Sequence, residues 1–246
     1  MRAYAYQLEG DELFERNPRW LNEKLQGRGP IKSDIARLLW AREALAQHER
    51  VLWLDADVFI FMPERFDPLS RLEASGPPLL PEWGRALFGL ERWVQPHKKG
   101  PRFGWRVYQN VCNALCLFER GAPMLDFYLQ SALGVIERVD PQFIAPQLIG
   151  PKLLSAQHNL SPLRVTSQLG SASVDLLIEL ALGEGQALDT FRERVAQDAA
   201  EERCVALNLC ASLLGQRSQA GELLSEARLM EAIEALERGE LYKSEA

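Results

Sequence analysis

Two aspartates one residue apart, Asp55 and Asp57, close the apolar run Val51-Leu52-Trp53-Leu54 and are followed by a second one, Val58-Phe59-Ile60-Phe61. In an extended segment alternate side chains share a face, so the two carboxylates would lie roughly 6–7 Å apart on one side of the chain. Two like charges at that spacing call for a cation between them, and hard oxygen ligands suit Mg²⁺ or Mn²⁺. With ten Asp in 246 residues, about 0.4 such pairs arise by chance, so the flanks carry the signal. Residues 51–54 read as a short, fully buried strand, and open α/β sheets bind ligands beyond the carboxyl ends of such strands. The plainer alternative is a solvated strand end carrying two turn-forming acids.

The elements that must position this pair can be read on either side of it. Upstream, Ile35, Leu38, Leu39 and Leu45 are spaced for one helical face, with Ser33 as N-cap and Asp34 in the positive first turn. Asp34 and Arg37, three apart, share the end and face of that helix. Tyr4–Leu8 alternates as a weak strand, and Leu13–Leu25 offers a helix interrupted by Pro18. Downstream, residues 63–81 are turn-rich. Residues 82–108 form a long excursion that mixes Trp83, Trp93, Phe103, Trp105 and Tyr108 with Arg92, His97, Lys98, Lys99, Arg102 and Arg106. Its cations read as a lid over phosphate or as a flexible charged loop; its aromatics stack on sugar faces or pack the excursion onto the core. Val111–Phe118 returns to a buried strand, Ala122 or Pro123 opens a helix through about Arg138, and Pro141–Leu154 leads into another around the Gly150-Pro151 turn.

After Val165 the pattern turns helical and charged. Leu188, Phe191 and Val195 make one stripe, and Leu223, Ala227, Met230 and Ile233 another, with the apolar run Cys204–Cys210 between them as a last strand. His48 and His158 sit near element ends and carry no assigned chemistry. The expected fold is α/β: a single domain over 1–246 with a mixed, Rossmann-type sheet flanked by helices in 1–165 and a mostly helical 166–246. A net charge of −6 with no basic block argues against nucleic acid as a partner. The four cysteines form no C-x-x-C pair and sit in apolar runs, which reads as reduced core thiols in a cytoplasmic setting. The amino terminus lacks the apolar core of a signal peptide, and no transmembrane segment is expected.

Taken together, Lys32-Ser33-Asp34-Ile35-Ala36-Arg37, Leu54-Asp55-Ala56-Asp57, Gln109-Asn110-Val111-Cys112-Asn113-Ala114 and Gly150-Pro151 resemble the "sugar-binding region containing DXD motif" glycosyltransferases of the GT-A fold, of the capsular-polysaccharide and mannosyltransferase kind. The likeness runs over residues 4–154, with a vaguer match at Val205–Cys210. Its most specific part is an S-D-x-x-R helix followed about twenty residues later by a strand with D-x-D. The resemblance implies a UDP- or GDP-hexose donor, Mn²⁺ or Mg²⁺, a saccharide or lipid-linked acceptor, and retention at the transferred carbon. It implies that Asp55 touches ribose or metal and that Asp57 ligates the metal. It also implies that Ser33, Asp34, Arg37 and Gly150 belong to the donor site and that Asn113 faces the sugar. The family's pattern places an apolar strand before the element that Tyr4–Leu8 matches, and this sequence starts after it, so the base is held differently or the start codon lies upstream. It also commonly supplies a late metal-binding His, where this sequence offers Asn208.

Local alternatives stand beside these roles: a helix-dipole acid with a surface ion pair for Asp34 and Arg37, and satisfaction of local backbone for Asn113. Two other functions are open, a non-catalytic GT-A relative acting as a binding or assembly subunit and a HAD-type phosphohydrolase. The second usually follows its acids with a Gly/Thr-containing flexible segment near the amino terminus, whereas Val58–Phe61 continues apolar.

Overall fold

The computed structural model describes residues 12–74, 85–91, 102–103, 106–107 and 110–245. The expected strand at Tyr4–Leu8 and most of the excursion, including Trp83, Arg92, Trp93, His97, Lys98, Lys99, Trp105 and Tyr108, lie outside these residues. In chain order the helices are α1 (Glu12–Glu15), α2 (Arg19–Lys24), α3 (Gly29–Leu45), α4 (Pro68–Ala74), α5 (Pro123–Arg138), α6 (Leu153–Leu160), α7 (Val174–Leu182), α8 (Gln186–Ala196) and α9 (Glu226–Glu237). The strands are β1 (Arg50–Leu54), β2 (Val58–Ile60), β3 (Ala86–Glu91), β4 (Arg102–Phe103), β5 (Arg106–Val107), β6 (Asn110–Glu119), β7 (Val165–Thr166), β8 (Leu169–Ser171) and β9 (Ala206–Asn208). The class is α/β with mixed sheets. One sheet has the order β1-β6-β3-β7, a second the order β2-β9-β8, and β4 with β5 forms a small hairpin within the excursion. β3 and β7 are parallel. The Asp55 N–H to Ala114 C=O bond (3.0 Å) and the Arg120 N–H to Glu49 C=O bond (2.7 Å) run β1 and β6 antiparallel.

The chain divides into two compact units: Met1–Trp53 with Pro77–Ala86 and Leu117–Leu163, and Leu54–Gly76 with Leu87–Cys116 and Arg164–Ala246. In the first, Pro18 splits the expected 13–25 helix into α1 and α2. α3 begins well before Ser33, because Pro30 in its first turn has its φ preset for a helix start. Ser33 is therefore inside the helix rather than at its cap, its Oγ donating to the Pro30 C=O at 2.9 Å, and Asp34 lies beyond the first turn. Ile31, Ile35, Leu38, Ala41 and Leu45 form the buried face of α3, which packs on α1 and α5. α5 has the expected limits and buries Met124, Leu125, Tyr128, Leu129, Ala132 and Ile136.

Residues 141–154 do not form one helix. Pro151 has no N–H and Gly150 leaves helical geometry (φ −81°, ψ −108°), so a π-helical turn at Leu148–Lys152 precedes α6. On α6, His158 is half-buried and its Nδ1 accepts the Leu163 N–H at 3.0 Å; burial holds its pKa below the ordinary 6.5. The unfolded chain then binds the extra proton more readily, so this group's contribution is complete above pH 6.5 and is lost as pH falls through the folded value. His158→Gln is expected to flatten the acid-side decline in stability just below that pH, measured by urea denaturation at fixed pH values. An unchanged slope would refute it.

In the second unit α7, α8 and α9 gather around a core that includes Leu176, Leu177, Leu180, Leu188, Phe191 and Leu236. The α8 stripe Leu188, Phe191 and Val195 is buried as expected. That of α9 is buried only in part: Ser225 caps the helix, so Leu223 precedes it, Ile233 packs half-buried against this core beside the buried Ala232, Ala235 and Leu236, and Met230 is 54% exposed. α4 is capped by Asp67, whose carboxylate accepts the Ser70 Oγ–H (2.6 Å) and N–H (3.0 Å). Those bonds hold its pKa below the ordinary carboxylate value. The run Val205–Cys210 supplies β9, but to the second sheet, between β2 and β8. There β8 passes so close that a Cβ on Gly170 would lie 3.0 Å from Cys204 Sγ, 3.1 Å from Leu207 Cδ1 and 3.3 Å from Phe191 Cζ. Gly170→Ala is expected to cost about 1–3 kcal/mol by overpacking, read as a drop in the urea midpoint; a neutral variant would mean that the strand shifts freely.

Candidate functional site

The acid pair sits on a turn, not on the end of an extended strand. The Asp55 C=O accepts the Val58 N–H at 3.1 Å, which reverses the chain at Ala56-Asp57 and divides the apolar run 51–61 into β1 and β2, members of different sheets. The shared-face argument from strand alternation therefore does not hold here. Nor is β1 fully buried: of its residues Val51 is buried and the others are half-buried. β6, by contrast, is buried from Val111 to Phe118, as its composition implied.

Three backbone bonds fix the turn. Besides its internal bond, the Asp55 N–H donates to Ala114 C=O on β6, and the Asp57 C=O accepts the Leu209 N–H at 2.8 Å, just past β9. The β2–β9 register sets Val58 opposite Asn208. Phe59 and Phe61 pack against the second unit's core, anchoring the strand that leaves the turn. Asn113 precedes Ala114 on β6 and is 8% exposed. Asp55, Asp57, Asn113 and Asn208, far apart in sequence, are thus drawn together in one unit by hydrogen bonds on two strands. Both aspartates are half-buried, and Ala56 between them is exposed.

Ser33, Asp34, Arg37 and Gly150 belong to the first unit. Asp34 and Arg37 are not a surface pair: Arg37 Nη2 lies 3.3 Å from Asp34 Oδ1, with side chains 10% and 8% exposed. The guanidinium also lies 5.3 Å from the centre of the Trp53 ring. Trp40 meets Trp53 edge to face, at 5.9 Å and 71°. Neither indole was singled out from the sequence, although the spacing held a signal: Trp40 follows Arg37 by three on α3, and Trp53 precedes Asp55 by two. Gly150 is buried in the π-helical turn, where the Tyr128 hydroxyl donates to the Ile149 C=O at 3.0 Å. Also in the first unit, an open surface depression is lined by Glu15, Asn17, Arg19, Asn22, Glu23 and Gln26; nothing in the sequence pattern marked these residues.

Among the described residues no group of three or more His, Cys, Asp or Glu could hold a metal ion. Asp55 and Asp57 offer two carboxylates on one turn, hard oxygen donors of the type that would suit Mg²⁺ or Mn²⁺ completing its shell with water and phosphate. Cys112, Cys116 and Cys204 are free and buried, and Cys210 is free and half-buried. Among the described residues no helix is long and apolar enough to cross a membrane. No protein-family model, curated protein or solved structure matches the chain.

Proposed function

We propose that the chain is a divalent-metal-dependent glycosyltransferase of the GT-A type, moving a hexose with retention from UDP- or GDP-hexose to a saccharide or lipid-linked acceptor in polysaccharide biosynthesis. The observation that supports this best is the acid turn itself, pinned to β6 beside Asn113 and to the end of β9 beside Asn208. Asp57 would ligate Mn²⁺ or Mg²⁺, Asp55 the same ion or the ribose, and Asn113 would face the donor sugar. The bound ion supplies neutralisation of the diphosphate as charge develops on it. The protein's own contribution is preorganisation: a turn held by three hydrogen bonds and an aromatic anchor does not have to reorganise when the diphosphate arrives. The proposal rests on residues of the second unit alone. Buried free thiols accord with a cytoplasmic setting for the reaction.

A phosphohydrolase is less well supported, because the acids are followed at once by strand β2 rather than by a Gly/Thr-rich segment. A binding subunit without catalysis is favoured by one feature, the neutral amide of Asn208 where a charged or imidazole ligand would hold a metal more tightly. A thermal-shift panel separates these readings: UDP, GDP and their hexoses, each with and without Mn²⁺. A metal-dependent shift with one nucleotide supports the donor site and names the base. Release of free hexose or transfer to a saccharide acceptor then divides enzyme from binding subunit. Turnover of a generic phosphoester with no response to any nucleotide would overturn the proposal.

A further inference from the structure

The metal reading above would make Asn208 a third oxygen ligand, yet its side chain already has a task. Asn208 Oδ1 accepts the Cys210 N–H at 3.0 Å, closing an Asx turn over Leu209. Cys210 has φ +50° and is the one non-glycine residue with positive φ among those described. A side chain other than glycine is disfavoured in that left-handed region unless its surroundings hold it there. The residue enclosed by the turn, Leu209, is the one whose N–H donates to the Asp57 C=O at 2.8 Å. Asn208 itself is fixed from both sides, opposite Val58 on β2 and Ser171 on β8, with its C=O accepting the Ala172 N–H at 2.9 Å.

We propose that Asn208 is a positioning residue for the acid turn: by holding Cys210 in the left-handed conformation it aims the Leu209 N–H at the Asp57 carbonyl and so sets where the Asp57 carboxylate stands. This rests on the reading of Asp57 as a metal ligand. An amide oxygen has two lone pairs, so direct ligation is the rival, and the two ideas part on glycine. Glycine adopts positive φ without help. If Asn208 works by holding Cys210, its side chain becomes dispensable once residue 210 is glycine; if it binds the ion, it does not.

The test is a double-mutant cycle on the full chain. Mn²⁺ affinity is measured by electron paramagnetic resonance of the free ion in the presence of UDP or GDP, and urea midpoints are taken without metal. Removing a group that orients a metal ligand typically weakens affinity about 10–100-fold. Asn208→Ala should therefore weaken Mn²⁺ binding by at least about tenfold and lower the metal-free midpoint. In the Cys210→Gly background the same Asn208→Ala change should do neither. A variant that folds only when Cys210→Gly is also present would be the same rescue in stronger form. Equal loss of affinity in both backgrounds would make Asn208 a direct ligand and overturn the proposal, as would no loss in either. Should the wild-type chain itself take up no Mn²⁺ with either nucleotide, the metal reading fails and this proposal with it. Binding without rescue overturns this proposal alone.

Discussion

Asp57→Ala is expected to abolish the Mn²⁺-dependent stabilisation by UDP or GDP that the proposed donor site would confer. A ligand that binds only the folded state at a hundredfold excess over Kd adds about 2.7 kcal/mol, which for a chain of this size is a rise of about 5–10 °C in Tm. Asp57 is the informative position because its backbone and side chain have separable tasks. Its carbonyl, bonded to the Leu209 N–H, survives substitution by alanine, so the turn keeps its frame while the carboxylate is lost. The variant should therefore match the wild type without ligand and differ from it only with metal and nucleotide together. A shift retained in Asp57→Ala would place the ion elsewhere. A wild type that ignores both UDP and GDP in the presence of Mn²⁺ would end the donor-site reading.

The second large effect is expected in the first unit. Asp34 and Arg37 are an ion pair with both side chains about nine-tenths buried, and removing one partner of such a pair strands the other charge away from water, at a cost of about 3–5 kcal/mol. Arg37→Met should be destabilising on that scale. It also removes the guanidinium from the face of Trp53, where the exchange of a cation for an apolar chain is a smaller loss. Replacing both partners, Asp34→Leu with Arg37→Met, should recover most of the stability, because no uncompensated charge remains. Urea denaturation of the two single variants and the double measures this directly. If instead Arg37→Met leaves the unliganded protein as stable as before but erases its response to nucleotide, the pair serves the donor, as the family resemblance implied, and not the fold.

How much of this was legible in the sequence depends on the range of the interaction responsible. Helix α5, strand β6 and the α8 stripe follow from periodicity and from Pro123, because the residues that specify them lie within a few turns of one another. α3 starts five residues before the place Ser33 suggests, because a serine before an apolar stripe looks like a cap, while Arg28-Gly29-Pro30 carries no cap side chain at all. β3 went unread: its central Gly89, which allows the close approach of Cys112 and Leu169, makes the segment look like part of a loop when only neighbours in sequence are visible.

The sequence by itself determined that the chain is α/β, that Asp55 and Asp57 follow an apolar strand, and that a buried strand near Asn113 and an apolar run near Asn208 accompany them. Those are statements about composition and local period. Only the tertiary structure decided that the acids ride a turn, that β2 leaves for a different sheet, and that β6 and β9 hold the turn from either side. Each depends on hydrogen bonds between backbone groups that every residue carries, so side-chain identity does not reveal which strands they will join. The same holds for the Asp34–Arg37 pair. Its spacing is written in the sequence, but whether a pair three apart on a helix faces water or the core is set by what packs against it, and here that face is the one α3 buries.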